Sequence, residues 1–404
     1  MKLSLLFLGS IYLPLFLFSL FYELIVPDHK VNIIEKKRSI QDKELRIESV
    51  KNGNNPTFYP QTIRKYFGNT NFYPIGSIPN KKSFLCNEGY GLVTYKSDIF
   101  GLRNNEDSWK GITKKNNILL LGDSFIHGSC VEDENTISSV ISKNQGFNVI
   151  NLGMGGNGPH EYMATLKSLV KPIINNSSKT STVLLIFYAN DDKNYPPKLH
   201  KYLSELVQKA KPIISFTKDG DALPNKIYLR ILEDKISQNY PLNREQIIDR
   251  INNRKISGYG LKTLIKKIIT LRQLRIHMKL AGPNKFNFNK NIPNKMQYSQ
   301  NSPTAQAIKY LSEICKRPCR PYVGFIPNSN YWRPDRVSRI YKVKNEYLDH
   351  LVEQANINKV PFLNFKNIID QNDRLNYAPK GPHLSILGNK KLGEYISNRI
   401  NIED

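Results

Sequence analysis

Four short stretches of this chain hold residue types that together could carry out acyl transfer. Gly122-Asp123-Ser124-Phe125 sets a serine directly after the apolar run Asn117-Ile118-Leu119-Leu120-Leu121. A hydroxyl at a strand-to-helix turn is presented at a sheet edge, and the serine's own N–H, near a helix start, can donate to a developing oxyanion. Gly153-Met154-Gly155-Gly156-Asn157-Gly158-Pro159 follows the next apolar run. Glycines there let the backbone approach a ligand and offer a second N–H. Tyr188-Ala189-Asn190-Asp191 adds an amide side chain that can make a third hydrogen bond to the same oxygen. Gly381-Pro382-His383-Leu384-Ser385 supplies His383, a general base for Ser124. Each stretch alone also reads as an ordinary turn, so the order of all four carries the weight.

The elements that must position these residues are visible as short apolar runs alternating with helical stretches. Strands are expected at 117–121, 147–152, 182–188, 322–326 and 360–363. The third is apolar nearly throughout, as when both faces of a sheet are covered. Helices are expected at 136–143, 160–170, from Ser302-Pro303-Thr304 to about Ile314, from Arg336 to about Ala355, and from Ser385 to about Ile400. Five strand–helix units in series predict an α/β fold with a doubly wound parallel sheet, whose reacting groups gather at the carboxyl ends of the strands.

Ser, Gly, Asn and His in this order, each at such a place, resemble the signature of the SGNH/GDSL hydrolase superfamily. The resemblance covers roughly residues 86–195 and 303–400. It extends upstream to Thr94–Asn104, where Ser97-Asp98-x-x-Gly101-x-x-Asn104 is similar to the lead-in of a bacterial membrane-anchored branch. It implies a flavodoxin-like three-layer α/β/α fold with a parallel five-stranded sheet. It also implies catalysis by Ser124 and His383, and an oxyanion hole made by the N–H groups of Ser124 and Gly156 with Asn190. The implied function is that of a serine esterase or O-acyltransferase. Ester-linked acyl groups of a cell-envelope glycan are its implied substrate, and no cofactor or metal is required. A catalytically inactive component of the same fold, binding or assembling an envelope polysaccharide, is the alternative. The feature that favours it is Lys380, which stands where the superfamily carries an Asp to orient the histidine. A backbone carbonyl, a distant carboxylate or a Ser–His dyad would then have to serve.

Other candidates have structural readings. His127 and His160 lie near the motifs without a ligand set, and Asp123 and Asp191 are expected to tie down their loops. Arg103 could bind an anionic substrate, with a structural ion pair as the other reading. Cys86, Cys130, Cys315 and Cys319 could form two disulfides or remain four buried thiols. Cys315 and Cys319, without companion ligands, do not make a zinc site.

The outer organisation reads in five parts. Residues 1–26 are expected to be a transmembrane anchor, because Leu3–Tyr22 is uncharged and about long enough to cross a bilayer. This makes the expected location the inner membrane by a single pass. Lys30, Lys36, Lys37 and Arg38 favour a cytoplasmic domain by charge, while the resemblance favours the other side. Residues 27–85 read as a stalk or lead-in, 86–195 and 301–404 as two halves of the hydrolase domain, and 196–300 as a basic helical insertion. In that insertion Leu261, Leu264, Ile265 and Ile268 share a helical face, suited to a membrane surface or to packing on the domain. The net charge of +25 comes from 59 basic and 34 acidic residues spread along the chain. With no nucleic-acid-binding motif beside it, that charge points to solvated basic faces and not to nucleic acid.

Overall fold

The computed structural model describes residues 12–17, 28–145, 147–191, 196–240, 243–253, 298–329 and 337–400. Ten strands are described in chain order. They are β1 (Asn55–Pro56), β2 (Lys82–Phe84), β3 (Thr94–Lys96), β4 (Asn117–Leu121), β5 (Asn148–Asn151), β6 (Ser181–Tyr188), β7 (Ile214–Phe216), β8 (Ala222–Pro224), β9 (Arg320–Ile326) and β10 (Phe362–Asn364). Five of them form one sheet in the order β5-β4-β6-β9-β10, and every pairing is parallel. Counted along the chain this is the 2-1-3-4-5 order of a doubly wound sheet, with its switch point between β4 and β6. Every residue of β4 and of β6 is buried, which is why both read as apolar runs after polar first residues.

The connections are helical, as the periodicity requires. Ile137–Gln145 joins β4 to β5, and Pro159–Thr165 continues through a π turn at Leu166–Val170 into Lys171–Asn176 before β6. Pro303–Ile314 leads to β9, with Ser302 as its N-cap accepting from Ala305 N. Val337–Ile357 leads to β10, and Ile386–Arg399 closes the domain. That last helix docks on Ile137–Gln145. Gly393 lies so close to Val140 that an added Cβ would fall 2.7 Å from the valine side chain.

The chain divides into two compact units, one of residues 1–48 and 243–292 and one of residues 49–242 and 293–404. Within the second, much of the expected lead-in is core. Phe58, Ile63, Phe67, Tyr73 and Ile75 are buried in the same cluster as the sheet residues. The insertion contributes too, through the helix Lys226–Asn239, where Tyr228, Leu232 and Ile236 are buried. Tyr228 accepts a hydrogen bond from Ile75 N at 3.2 Å, so lead-in and insertion pack on each other. In the first unit the helix Arg244–Asn253 buries Ile247, and Lys43 donates to Asn252 O. The apolar helical face expected from Leu261, Leu264, Ile265 and Ile268 lies outside the described residues.

The expectation of a single-pass inner-membrane protein is corrected. Among the described residues no helix is long and apolar enough to cross a membrane. Of the apolar stretch Leu3–Tyr22, residues 12–17 are among the described residues and are helical.

Candidate active site

Ser124 lies in the turn that leaves β4, half-buried, with its backbone carbonyl accepting from Ser129 N at 3.0 Å. A series of turns, not a helix, follows it directly, and the helix begins only at Ile137. Asp123 shapes the turn by accepting from Phe125 N at 2.9 Å, the loop-tying role its type suggests. Phe125 in turn stacks on Tyr188 from the end of β6, with ring centroids 3.9 Å apart, and meets the His383 ring at 5.1 Å.

His383 reaches this turn from the far edge of the sheet. Its loop is pinned by the bridge between Tyr377 and Leu384 and by Ala378 N donating to His383 O at 2.8 Å. Ser385 then caps the helix Ile386–Arg399 by accepting from Gly388 N. Because that helix docks against Ile137–Gln145, the imidazole is carried over the nucleophile turn. Its Nε2 lies 2.9 Å from Ser124 Oγ.

The other face of the imidazole meets a residue that the sequence did not single out. Nδ1 of His383 lies 2.7 Å from Glu88 Oε1, and His383 N donates to Glu88 Oε2 at 3.1 Å. Glu88 O also accepts from Lys380 N at 2.9 Å. With Nδ1–H donating to the carboxylate, Nε2 is left as an acceptor for the Ser124 hydroxyl. The close approach depends on Gly381, since a Cβ there would fall 1.7 Å from Glu88 Cδ. Lys380 therefore departs from the superfamily pattern without leaving His383 unsupported. No local pattern marks Glu88, and the one signal that pointed to it was the missing acid at position 380.

Glu88 sits in a short loop between Leu85 and Val93, closed by Leu85 N to Val93 O and Val93 N to Cys86 O. Asn87 Oδ1 accepts from both Gly89 N and Gly91 N. Cys86 is bonded to Cys130, and Cys315 to Cys319, so the four cysteines form two disulfides. Glu88, Cys130 and His383 lie close together, but the Cys130 sulfur is committed to Cys86 and they do not make a metal set.

The oxyanion candidates occupy the loops that flank Ser124. Met154 N donates to Gly122 O at 3.2 Å, which ties the glycine-rich loop after β5 to the nucleophile turn. Gly153 N, Asn157 N and Gly158 N are also committed, to Asn151 Oδ1, Met154 O and Glu161 Oε2 respectively. Gly155 and Gly156 belong to the same loop. Gly156 has φ +80°, a conformation natural to glycine. The lead-in backs the loop: Gln61 Nε2 donates to Gly155 O, and Arg64 pairs with the buried Glu161. Asn190 is exposed in the turn after β6, anchored by Asp191, which accepts from Tyr188 N and the Tyr162 hydroxyl at 2.8 Å each. The structure thus brings Ser124 and His383 into contact. It sets Gly156 and Asn190 in the loops that follow β5 and β6, the strands either side of β4.

The remaining candidates have structural partners. Arg103 is buried. Nη1 donates to Gly128 O at 2.7 Å, Nη2 to Val131 O at 2.9 Å, and Nε to Asp133 at 2.6 Å. It clamps the loop that carries Cys130 and is not placed to bind substrate. Within the upstream element, Asp98 accepts from Phe100 N, Leu102 N, Asn104 Nδ2 and Trp109 Nε1. Asn104 then staples that turn to β5 through Asn151. His127 is buried against Tyr95, its ring edge-on to the phenol, and His160 packs on His200 near Ser204.

Among solved structures, those similar to this chain at low identity include SGNH and G-D-S-L hydrolases. An SGNH hydrolase from Slackia heliotrinireducens is 10% identical, covers 71% of this chain and 100% of its own, and has a TM-score of 0.38. A carbohydrate acetylesterase from Sinorhizobium meliloti is 12% identical, with 71% and 98% coverage and a TM-score of 0.32. A G-D-S-L lipolytic protein from Desulfitobacterium hafniense DCB-2 is 11% identical, with 70% and 98% coverage and a TM-score of 0.31. No family profile and no curated protein matches the sequence.

Proposed function

We propose that this protein is a serine hydrolase acting on esters. The hydrogen-bonded chain from Glu88 through His383 to Ser124 carries the proposal, with successive distances of 2.7 and 2.9 Å. Ser124 Oγ attacks the ester carbonyl while His383 Nε2 takes its proton, and the imidazolium so formed lies against the Glu88 carboxylate. The tetrahedral oxyanion is held by N–H groups of the Ser124 turn and the Gly155-Gly156 bend, with Asn190 on the opposite side. The imidazolium then protonates the leaving alcohol. Water, activated by the same histidine, releases the acid and restores Ser124.

Within that class, ester-linked acyl groups on a cell-envelope glycan are the substrate the motif order suggests, and a sugar hydroxyl could replace water as acceptor. The net charge of +25 suits an acidic glycan. A Glu88 carboxylate at His383 Nδ1 weighs against the non-catalytic alternative, whose ground was the lysine at position 380.

The test is labelling of the full chain with a fluorophosphonate, read by intact mass. One adduct on the wild type, absent from Ser124→Ala, is expected. A folded wild type that takes up no adduct would overturn the proposal.

A further inference from the structure

The proposed triad draws its three members from three places that share no element. Ser124 and His383 are joined through two helices that dock in the main core. Glu88 is carried differently. Its loop rises from β2 and β3, and the apolar residues beneath it, Leu85, Val93 and Tyr95, form a small cluster of their own, separate from the main core. Tyr95 meets His127 edge-on and lies beside Arg103, and Glu88 O takes one hydrogen bond from Lys380. The covalent link is the disulfide between Cys86, two residues before Glu88, and Cys130, six after Ser124. The Cys130 sulfur lies 3.9 Å from His383 Nδ1, against the same ring atom that faces Glu88. Cys130 itself has φ +65°, and Arg103 grips the carbonyls of Gly128 and Val131 on either side of it. The loop is thus held in the conformation that aims the sulfur at the histidine.

From these contacts we infer that Cys86 and Cys130 are positioning residues: their disulfide holds Glu88 on His383, so the proposed hydrolase is fully competent only when this bond is oxidised. This rests on the serine-hydrolase reading. Reduction by a phosphine such as tris(2-carboxyethyl)phosphine cleaves the S–S bond. Two electrons from phosphorus leave two thiols, water supplies the protons and oxygen, and the phosphine departs as its oxide. Glu88 is then kept in place by the small apolar cluster, the hydrogen bonds that close its loop and those it takes from Lys380 and His383, without the covalent tie to the nucleophile loop. Misplacement of an orienting group by about 1 Å can cost about 10²-fold.

The second disulfide provides a control, because Cys315–Cys319 immediately precedes β9 at its amino end, while the site lies at the carboxyl ends of the strands. The experiment measures hydrolysis of p-nitrophenyl acetate and the ring N–H proton resonance of His383 on the full chain. It compares oxidised and reduced wild type, the double variant Cys86→Ser/Cys130→Ser, the control Cys315→Ser/Cys319→Ser, Glu88→Gln, and Glu88→Gln combined with Cys86→Ser/Cys130→Ser. In the oxidised wild type a far-downfield resonance is expected from Nδ1–H on the carboxylate. It should vanish in Glu88→Gln, in Cys86→Ser/Cys130→Ser and on reduction, and survive in the control. Reduction or Cys86→Ser/Cys130→Ser should lower kcat by about 10²-fold with KM little changed. In the Glu88→Gln background, losing the disulfide should cost little more, because both changes remove one interaction. A merely structural disulfide would give losses that multiply, which would overturn the inference. So would an unchanged resonance and rate in the reduced protein. An oxidised wild type with no turnover and no fluorophosphonate adduct would instead overturn the hydrolase reading. The resonance would still decide whether the disulfide holds Glu88 in place.

Discussion

Glu88 and His383 are 295 residues apart in sequence and 2.7 Å apart in space. The contact is made twice, because the backbone N–H of His383 donates to the second carboxylate oxygen. A carboxylate fixed at both oxygens has one orientation, and the imidazole it faces has one tautomer that leaves Nε2 free to accept. Replacing Glu88 by Gln keeps the shape and removes the charge. It is expected to lower kcat by about 10²–10⁴-fold with a smaller change in KM. Steady-state kinetics on an activated ester would check this, and a kcat within a factor of about three of wild type would remove Glu88 from the triad.

Gly381 gives a second approach to the same contact. A methyl group there would sit 1.7 Å from the Glu88 carboxyl carbon, so Gly381→Ala must push the carboxylate off the imidazole or move the histidine loop. The expected loss of kcat resembles that of Glu88→Gln. The combined variant should be little worse than either alone, since both remove one interaction. Independent, multiplying losses would show that Gly381 serves the loop's fold and not the carboxylate.

The glycine-rich loop is backed by the lead-in. A Cβ on Gly156 would fall 1.9 Å from Gln61 Nε2, and its φ of +80° strains any other residue. Gly156→Ala should therefore disturb the proposed oxyanion donor and lower kcat by about 10²–10³-fold. The fluorophosphonate rate should fall in parallel, because phosphonylation develops charge on an oxygen in the same place. Normal labelling by Gly156→Ala would move the donor to another amide.

His127 offers a prediction on stability with pH. Burial holds its imidazole neutral, pushing the pKa from 6.5 down to about 3, with the nearby Arg103 charge acting the same way. Neither ring nitrogen has a hydrogen-bond partner. The folded protein thus refuses a proton that the unfolded chain accepts near pH 6.5. Folding stability contributed by this residue is fully present above that pH. It is lost as pH falls toward about 3, at up to about 1.4 kcal/mol per pH unit. Urea unfolding of wild type and His127→Phe at pH 7, 6 and 5 should show the two curves converging or crossing as pH falls. Parallel pH dependence in the two proteins would assign the acid sensitivity to other groups.

What was legible in the sequence was local. The nearly continuous apolar runs of β4 and β6 announced strands covered on both faces, because a buried parallel strand has no polar side to alternate with. Ser124, Asn190 and His383 could be singled out because each stands next to an element whose periodicity can be read, while Gly156 was chosen among several glycines by the family resemblance. Helix starts such as Ser302-Pro303 and Ser385 were visible because capping is a matter of a few adjacent residues. The stalk-like reading of the residues before position 85 came from the same local view. Short segments such as Phe58–Phe67 have no helical or strand period, yet bury aromatic and aliphatic side chains against the sheet.

The tertiary structure alone decided what joins these pieces. Glu88 carries no mark in its neighbours, and its partner lies on a helix lead-in that reaches Ser124 only because Ile386–Arg399 packs on Ile137–Gln145. The pairing of Cys86 with Cys130 is likewise a meeting of two loops 44 residues apart. Sequence records short-range periodicity, because strand and helix are selected by neighbouring residues. A carboxylate that orients a histidine is selected by distance in space, and only the folded chain brings that distance into being.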